Sequence, residues 1–187
     1  MLPRVLTILA IQSIFVVTDN FASHLYEGAI TAIAYGWLIM QMPETIIGTA
    51  IGTAIFPTLS EFVSRDDRVG LRSTLRRALI ILVALIVPIT IVSLILVRPA
   101  VQLVFEGRSF TAAGTTLVVS AAQMFLLGML GHSLLEVVVR MFYALHDAIT
   151  PLIAAALTAA SFAGLCYLLV PLMGHSGIGL ANTIAFT

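Results

Sequence analysis

The sequence predicts an all-α polytopic membrane protein, a six-helix transmembrane bundle whose last helix is truncated. Three observations carry that expectation. Of 187 residues, 60% are hydrophobic and 10% charged, with mean hydropathy +1.10; a soluble domain has roughly a quarter charged residues and under half apolar ones. So little polar surface cannot cover a water-soluble globule. The apolar residues also fall into five runs long enough to cross a hydrocarbon core about 30 Å thick, which takes about 20 residues of helix, and into a sixth, shorter run. Finally, the arginines gather in alternate connections between those runs.

The five complete runs are Val5–Leu25, Ala29–Leu59, Ala78–Val97, Ala112–Leu145 and Leu152–Leu172, and the incomplete one is Ser176–Thr187. Arg4 before an apolar stretch suggests a signal peptide, but the first run is too long, and Gln12, Asp19 and Asn20 interrupt it. The second and fourth runs exceed a straight crossing, so tilt, a kink or an extension into water is expected. Pro43 supplies a kink in the second, because it removes a backbone donor and clashes with the preceding turn. Gly107 marks a turn after the third run, Asp147 and Thr150 before Pro151 read as helix-start chemistry, and a tight turn is expected around Gly174–Gly177. About a dozen residues follow Gly174, roughly 18 Å of helix at 1.5 Å per residue, so the sequence is expected to be cut inside a helix of a longer chain.

All nine basic residues are arginines and nine acids cancel them. That balance lacks the basic surface of a nucleic-acid binder. With a cytoplasmic N-terminus, the inside connections hold Arg4, Arg65, Arg68, Arg72, Arg76, Arg77 and Arg140, and the outside ones hold Arg98 and Arg108. Seven against two over short loops is a positive-inside bias, which predicts a multi-pass protein with the start of the chain in the cytoplasm. The stretch 60–77 (SEFVSRDDRVGLRSTLRR) is then expected as a cytoplasmic amphipathic connection, either resting on anionic membrane lipids or forming a solvated loop.

An ionisable side chain at membrane depth is expensive and marks a candidate site. Asp19, beside Thr18 and Asn20 and with Gln12 two turns earlier, offers the oxygen set of a hard cation such as Na⁺, or a proton-carrying group, or a residue snorkelling to the interface. Glu44 follows Pro43, and Gln41 lies one turn before Thr45, so a polar pocket at a broken helix is expected, unless the interface wets that end. Glu136 and Arg140 stand i, i+4 with the acid first, the favourable order for an ion pair on one face, either structural or substrate-facing. Gly48 and Gly52 form a small-residue face that admits another helix. Cys166 is alone, which excludes a disulfide framework, and His24, His132, His146 and His175 lack ligand spacing, so no metal site beyond Na⁺ at Asp19 is expected. There is no phosphate loop, nucleophile elbow or Ser/His/Asp arrangement. The expectation is a transporter without a cofactor, not an enzyme.

The strings MLPRVL, FASHLYEGAITAIAYGWLIMQMPETIIGTAIGTAIFPTLSEF, LVFEGRSFTAAGTT, RMFYALHDAITP and PLMGHSGIGLANTIA, in this order over nearly the whole chain, resemble the MurJ (MviN) family of lipid II flippases. That family belongs to the multidrug/oligosaccharidyl-lipid/polysaccharide exporter (MOP) superfamily. The resemblance implies about fourteen spans, twelve of them in two six-helix bundles around a central cavity. This chain resembles the second bundle, one half of a MATE/MOP-like transporter, whose partner is the first bundle of the same chain. It further implies a bacterial inner-membrane protein that moves an undecaprenyl-pyrophosphate-linked peptidoglycan precursor outward by alternating access, in cell wall biogenesis.

Against the family pattern there are departures. Where such proteins usually carry Asp-Arg in YYADRL, the arginine being thought to meet the pyrophosphate, this chain has Trp37 and Leu38 in AYGWLI. The family's common basic residue six before FY is Glu136, while Arg140 matches. Polar residues tied to a sodium site in the fifth span of some members are missing, and Asn182 and Thr183 keep polarity in the sixth. Three accounts follow: a divergent flippase relying on arginines elsewhere, a cation-coupled multidrug or polysaccharide-lipid exporter of the superfamily, and a non-transporting membrane scaffold.

Overall fold

A backbone surrounded by lipid must satisfy its N–H and C=O groups within its own segment, so apolar runs wind into helices. The computed structural model describes residues 2–105 and 112–187. Its elements are α1 (Leu2–Ser23), α2 (Ala29–Glu44), a π-helical turn (Thr45–Thr49), α3 (Ala50–Ser64), α4 (Arg68–Phe105), α5 (Ala112–Leu127), α6 (Met129–Ala144), α7 (Ile149–Met173) and α8 (His175–Ala185). Among the described residues, four helices are long and apolar enough to cross a membrane, and the count is five if α5 with α6, bent by 45°, is taken as one span. In the most apolar stretch of each of the four, 17–22% of residues are buried within the bundle. The outward faces carry Leu9, Ile91, Ile95 and Leu172 into the surroundings, the arrangement of a protein whose solvent is lipid.

The interior is a single apolar cluster built around Met40, Leu82, Ile86, Leu126, Met129, Phe162 and Ile178. α2 packs most extensively on α5, α1 on α7, and α7 folds back on α8, while α3, α4 and α6 close the other side. Close approach of α2 and α5 depends on Gly36, where a Cβ would stand 2.9 Å from both Ala121 Cβ and the Ala122 backbone nitrogen. The ends of the bundle are fixed by two contacts distant in sequence. The Arg4 guanidinium lies 5.1 Å over the Tyr143 ring, placing the start of α1 beside the end of α6. At the opposite end Tyr26 hydrogen-bonds Nδ1 of His175, whose Nε2 reaches Ser120 Oγ at 2.7 Å.

Both polar turns at the Arg4 end close in the same way. After α3, Asp66 adopts φ 50° and Asp67 N–H donates to Phe62 O at 2.9 Å; after α6, His146 adopts φ 58° and Asp147 N–H donates to Phe142 O at 2.9 Å. Each is a Schellman end, with a six-to-one bond over a left-handed residue. Asp147 then starts α7: its Oδ1 accepts the N–H groups of Ile149 and Thr150, and its Oδ2 accepts the Thr150 hydroxyl at 2.6 Å. Those bonds, with the Thr150 hydroxyl foremost, hold the Asp147 carboxyl below the ordinary aspartate range.

The structure redraws several expected boundaries. The 60–77 stretch, expected as an amphipathic connection, is divided between the end of α3, a turn at Arg65–Asp67 and the first turns of α4, because the Schellman end lets both helices run on. The third run is the middle of a 38-residue helix that continues through Arg98 and Pro99; the expected turn at Gly107 and Arg108 lies outside the described residues. The second run is continuous from Ala29 to Ser64. Pro43 leaves a π-helical turn directly after Glu44 in place of an open break.

Gly36→Ala is expected to destabilise the protein by about 1–3 kcal/mol, since the α5 backbone cannot yield to the new methyl; a thermal melt of the purified protein checks it, and an unchanged melting temperature would contradict the α2–α5 contact. Because the Asp147 pKa is depressed on folding, its contribution is present above the ordinary carboxylate pKa and is lost as pH falls through the folded value. Asp147→Ala should therefore lower the melting temperature at neutral pH, with the gap from wild type closing in acid.

Candidate functional site

The bend between α5 and α6 positions the first part of the site. At Gly128 the helical ladder changes register: Gly128 N–H donates to Phe125 O at 2.9 Å, and Met124 O instead accepts the hydroxyl of Thr183 from α8 at 2.5 Å. A side chain inserted into the ladder is a standard cause of a kink. A Cβ at Gly128 would meet Thr183 Oγ1 at 2.7 Å, so glycine is required for α8 to come this close. One turn later His132 Nε2–H donates to Asn182 Oδ1 at 2.8 Å. Its ring stacks on Phe186 at 3.9 Å between centroids and meets Trp37 edge-on at 5.3 Å.

His132, Asn182, Phe186 and Trp37 form part of the wall of a cavity of about 560 Å³ bounded by α1, α2, α6, α7 and α8, with Phe125 reaching it from α5. Trp37 is its aromatic hub, with edge contacts to Phe15 and Phe125 as well as His132. Four of the six residues expected to form the site line this cavity: Asp19, Gln41, Glu44 and Glu136. Asp19 keeps Gln12 and Thr18 beside it on the wall. Asn20 departs from expectation, turning to a shallow groove with His24, Tyr26 and Tyr167, because consecutive helical residues lie about 100° apart. Asp19 and Asn20 are therefore not brought to one oxygen cluster. Of the two positions that replace the family's Asp-Arg, Trp37 lines the cavity, whereas Leu38 does not and is 47% exposed.

The remaining candidate, Arg140, stands just behind the wall. Its Nη2 donates to Glu136 Oε1, one turn earlier on α6. The pair fits because α3 offers glycine: a Cβ at Gly52 would stand 2.5 Å from Arg140 Nε and 2.7 Å from its Cδ. Gly48, one turn before Gly52, makes the matching space for Glu44 Oε1 and Ser133 Oγ, at 2.9 and 3.3 Å from the position of a Cβ. The small-residue face expected to receive a helix thus receives α6, and what it admits is an ion pair. Glu44, half-buried, lies within electrostatic reach of both Glu136 and Arg140. The arrangement can hold charge at membrane depth and present carboxylates and aromatic rings to a guest in the cavity. Among the described residues no three acidic, histidine or cysteine side chains are grouped to hold a metal ion.

His132 was not among the expected site residues, although a signal was available: His132, Glu136 and Arg140 repeat at i, i+4, i+8 and so share one face of α6. The packing of Trp37 carried no such signal, since nothing in its neighbourhood forecasts the Phe15, Phe125 and His132 rings.

The family model described as Lipid II flippase MurJ matches residues 1–187. The chain belongs to the MurJ family. Similar curated relatives include a probable lipid II flippase MurJ from Rickettsia prowazekii, 30% identical over 94% of this chain and 34% of that protein. A lipid II flippase MurJ from Burkholderia cenocepacia is 28% identical over 97% of this chain and 35% of its own length. The chain therefore spans about a third of the length of these MurJ relatives. Among solved structures, the fold is similar to that of lipid II flippase MurJ in an inward closed conformation, with TM-score 0.87 and 23% identity over 96% of this chain and 38% of that one. A MOP superfamily transporter from Pyrococcus furiosus matches with TM-score 0.84 and 17% identity over 99% of this chain and 40% of that one. The fold class expected from the sequence, a helical bundle of the MATE/MOP type, and the family resemblance are both borne out.

Gly52→Ala should displace the Arg140 guanidinium and open the pair with Glu136. A double-mutant cycle on stability between Glu136→Gln and Arg140→Gln, run in the Gly52→Ala background, is expected to give less than half the coupling found with glycine. Equal coupling in the two backgrounds would show that Gly52 does not seat the pair.

Proposed function

We propose that this chain supplies the second six-helix bundle, residues 1–187, of a lipid II flippase in the bacterial inner membrane. It carries an undecaprenyl-pyrophosphate-linked peptidoglycan precursor to the outer leaflet by alternating access against the first bundle of the same protein. The observation that carries the reading is family membership over the whole chain, joined to a cavity walled by the helices that bear the polar residues. The arginine-rich end, where Arg4 meets Tyr143 and the 65–77 segment turns, lies in the cytoplasm in this reading, with those arginines against anionic lipid. Asp19, Gln41, Glu44 and Glu136 act as the polar contacts of the cavity, with Arg140 behind them, and Asp19 with Thr18 and Gln12 offers oxygens to a cation such as Na⁺. Asn20 belongs to the site only as a neighbour of Asp19 in sequence. The protein works without a cofactor, as transport needs differential binding in two states and no bond-making step.

One observation favours a second reading, a cation-coupled multidrug or polysaccharide-lipid exporter of the same superfamily. This wall presents three carboxylates, from Asp19, Glu44 and Glu136, together with the ring of Trp37, and the position where the family pattern carries its arginine is Leu38, which brings no cation to the wall. A carboxylate and aromatic wall suits a cation better than a pyrophosphate.

Expression of the complete gene in a bacterium depleted of its own lipid II flippase tests the first reading. Rescue of growth is expected from the wild type, with at least a tenfold loss of plating efficiency for Arg140→Ala and for Asp19→Ala at equal membrane abundance. A wild type that reaches the membrane and does not rescue would sink the lipid II reading, and full rescue by both variants would sink the site assignment.

A further inference from the structure

The polar cluster at the cavity wall has an odd charge count. Two carboxylates, Glu44 and Glu136, face a single guanidinium, Arg140. Glu44 is the last residue of the 16-residue α2 and so stands near the middle of the 36-residue Ala29–Ser64 helix, at the depth where an unmatched charge is least tolerated. Arg140 is committed to Glu136 through Nη2. Among the described residues the side-chain hydrogen bond to Glu44 comes from Thr45 Oγ1, at a long 3.5 Å. A second, independent feature points to the same spot. Ser133 is fully buried, its hydroxyl has no hydrogen-bond partner, and it converges with Glu44 Oε1 on the Cβ position of Gly48. A buried hydroxyl without a partner is costly unless some state of the protein uses it.

We propose that Glu44 and Glu136 form a single-proton site. One proton, taken from water in the cavity, forms an O–H bond on a carboxylate oxygen of the pair, and Arg140 balances the remaining negative charge. The proton returns to cavity water when that O–H bond breaks, so the site cycles between net charges of zero and minus one. Ser133 supplies the polar partner that the carboxyl needs as it changes state, being able to donate to an ionised oxygen or accept from a protonated one. A metal ion fits less well: a hard cation draws about six oxygens, and here the guanidinium already occupies one carboxylate and leaves a carboxylate and a hydroxyl. The titratable and charged groups facing the pair are His132, Arg140 and Tyr143 of α6 and, across the cavity, Asp19 of α1. The described parts of α5, α7 and α8 bring no ionisable side chain to the wall, α4 carries its arginines at 68–77 and 98, and the acid of α3, Glu61, lies at its far end, with Arg65 just beyond it. The inference goes beyond the transport reading, because the charge count is the same whichever molecule the cavity carries.

The test is infrared difference spectroscopy of the complete protein in lipid vesicles across a series of pH steps, following the C=O stretch of a protonated carboxyl. Wild type should show one titrating carboxyl band beyond those that the folded glutamine variants retain from the other acids. Removing either acid leaves the other matched to Arg140, so both Glu44→Gln and Glu136→Gln should lose the band, while Asp19→Asn keeps it. Arg140→Gln should raise the proton affinity at least tenfold, and Ser133→Ala should move the band to the frequency of a carbonyl with fewer hydrogen bonds. The amide bands in the same spectra report whether each variant is folded, and if a glutamine variant unfolds, Arg140→Gln and Ser133→Ala decide. A wild type without the band, a band kept by both folded glutamine variants, or a band abolished by Na⁺ at constant pH would overturn the proposal, the last by making the ligand a metal cation.

Discussion

The seating of α6 against the glycine face of the Ala29–Ser64 helix is the contact on which the rest of the bundle depends. Lipid supplies no hydrophobic drive between helices, so association rests on close packing and on polar groups that lipid cannot satisfy. Gly48 and Gly52 provide both at once: they remove two side chains where Ser133, Glu44 and Arg140 must fit. An ion pair within a membrane survives only when its partners hold each other and little else competes. Here Arg140 keeps Glu136 on its own helix, and the neighbouring helix is shaped around the guanidinium.

From that contact the cavity follows. With α6 fixed against α3, the α5–α6 span must bend to let α5 reach α2 at Gly36, and the bend falls at Gly128, where Thr183 takes the carbonyl that the changed register leaves free. α8 is drawn in by the same bond, which brings Asn182 and Phe186 to His132 and closes the ring of aromatic side chains on Trp37. The polar groups of four helices, α1, α2, α6 and α8, thus face one space, while the outward surfaces stay apolar. A transporter needs such a division, since the guest must meet polar contacts that lipid does not.

Much of this was legible in the residues. Five complete apolar runs and a shorter sixth correspond to the observed helices, since spanning length and hydropathy leave little choice. Asp147 and Thr150 before Pro151 announced the start of α7, and the Gly48–Gly52 spacing announced a close helix contact. Boundaries were less legible. Ser60 to Arg77 reads as a polar connection, yet Schellman closure over Asp66 needs a turn of three residues, and helix propensity carries α3 and α4 through the rest. Within the site, Asp19, Gln41, Glu44 and Glu136 could be read because an acid or amide in an apolar run stands out. Asn20 was misplaced because adjacency in sequence is divergence on a helix. His132 and Trp37 were not read as partners because their meeting depends on how α2, α6 and α8 cross, which no local pattern encodes.

The central claim is that Glu136 and Arg140 are one ionic unit seated against α3, and a double-mutant cycle on the complete wild-type protein tests it most directly. The measured quantity is thermal stability in lipid for Glu136→Gln, Arg140→Gln and the pair together. If the unit is real, Arg140→Gln leaves an unmatched carboxylate and is the most damaging change, and the double variant recovers much of that loss. Strictly additive losses, with the double variant worst of all, would contradict the account.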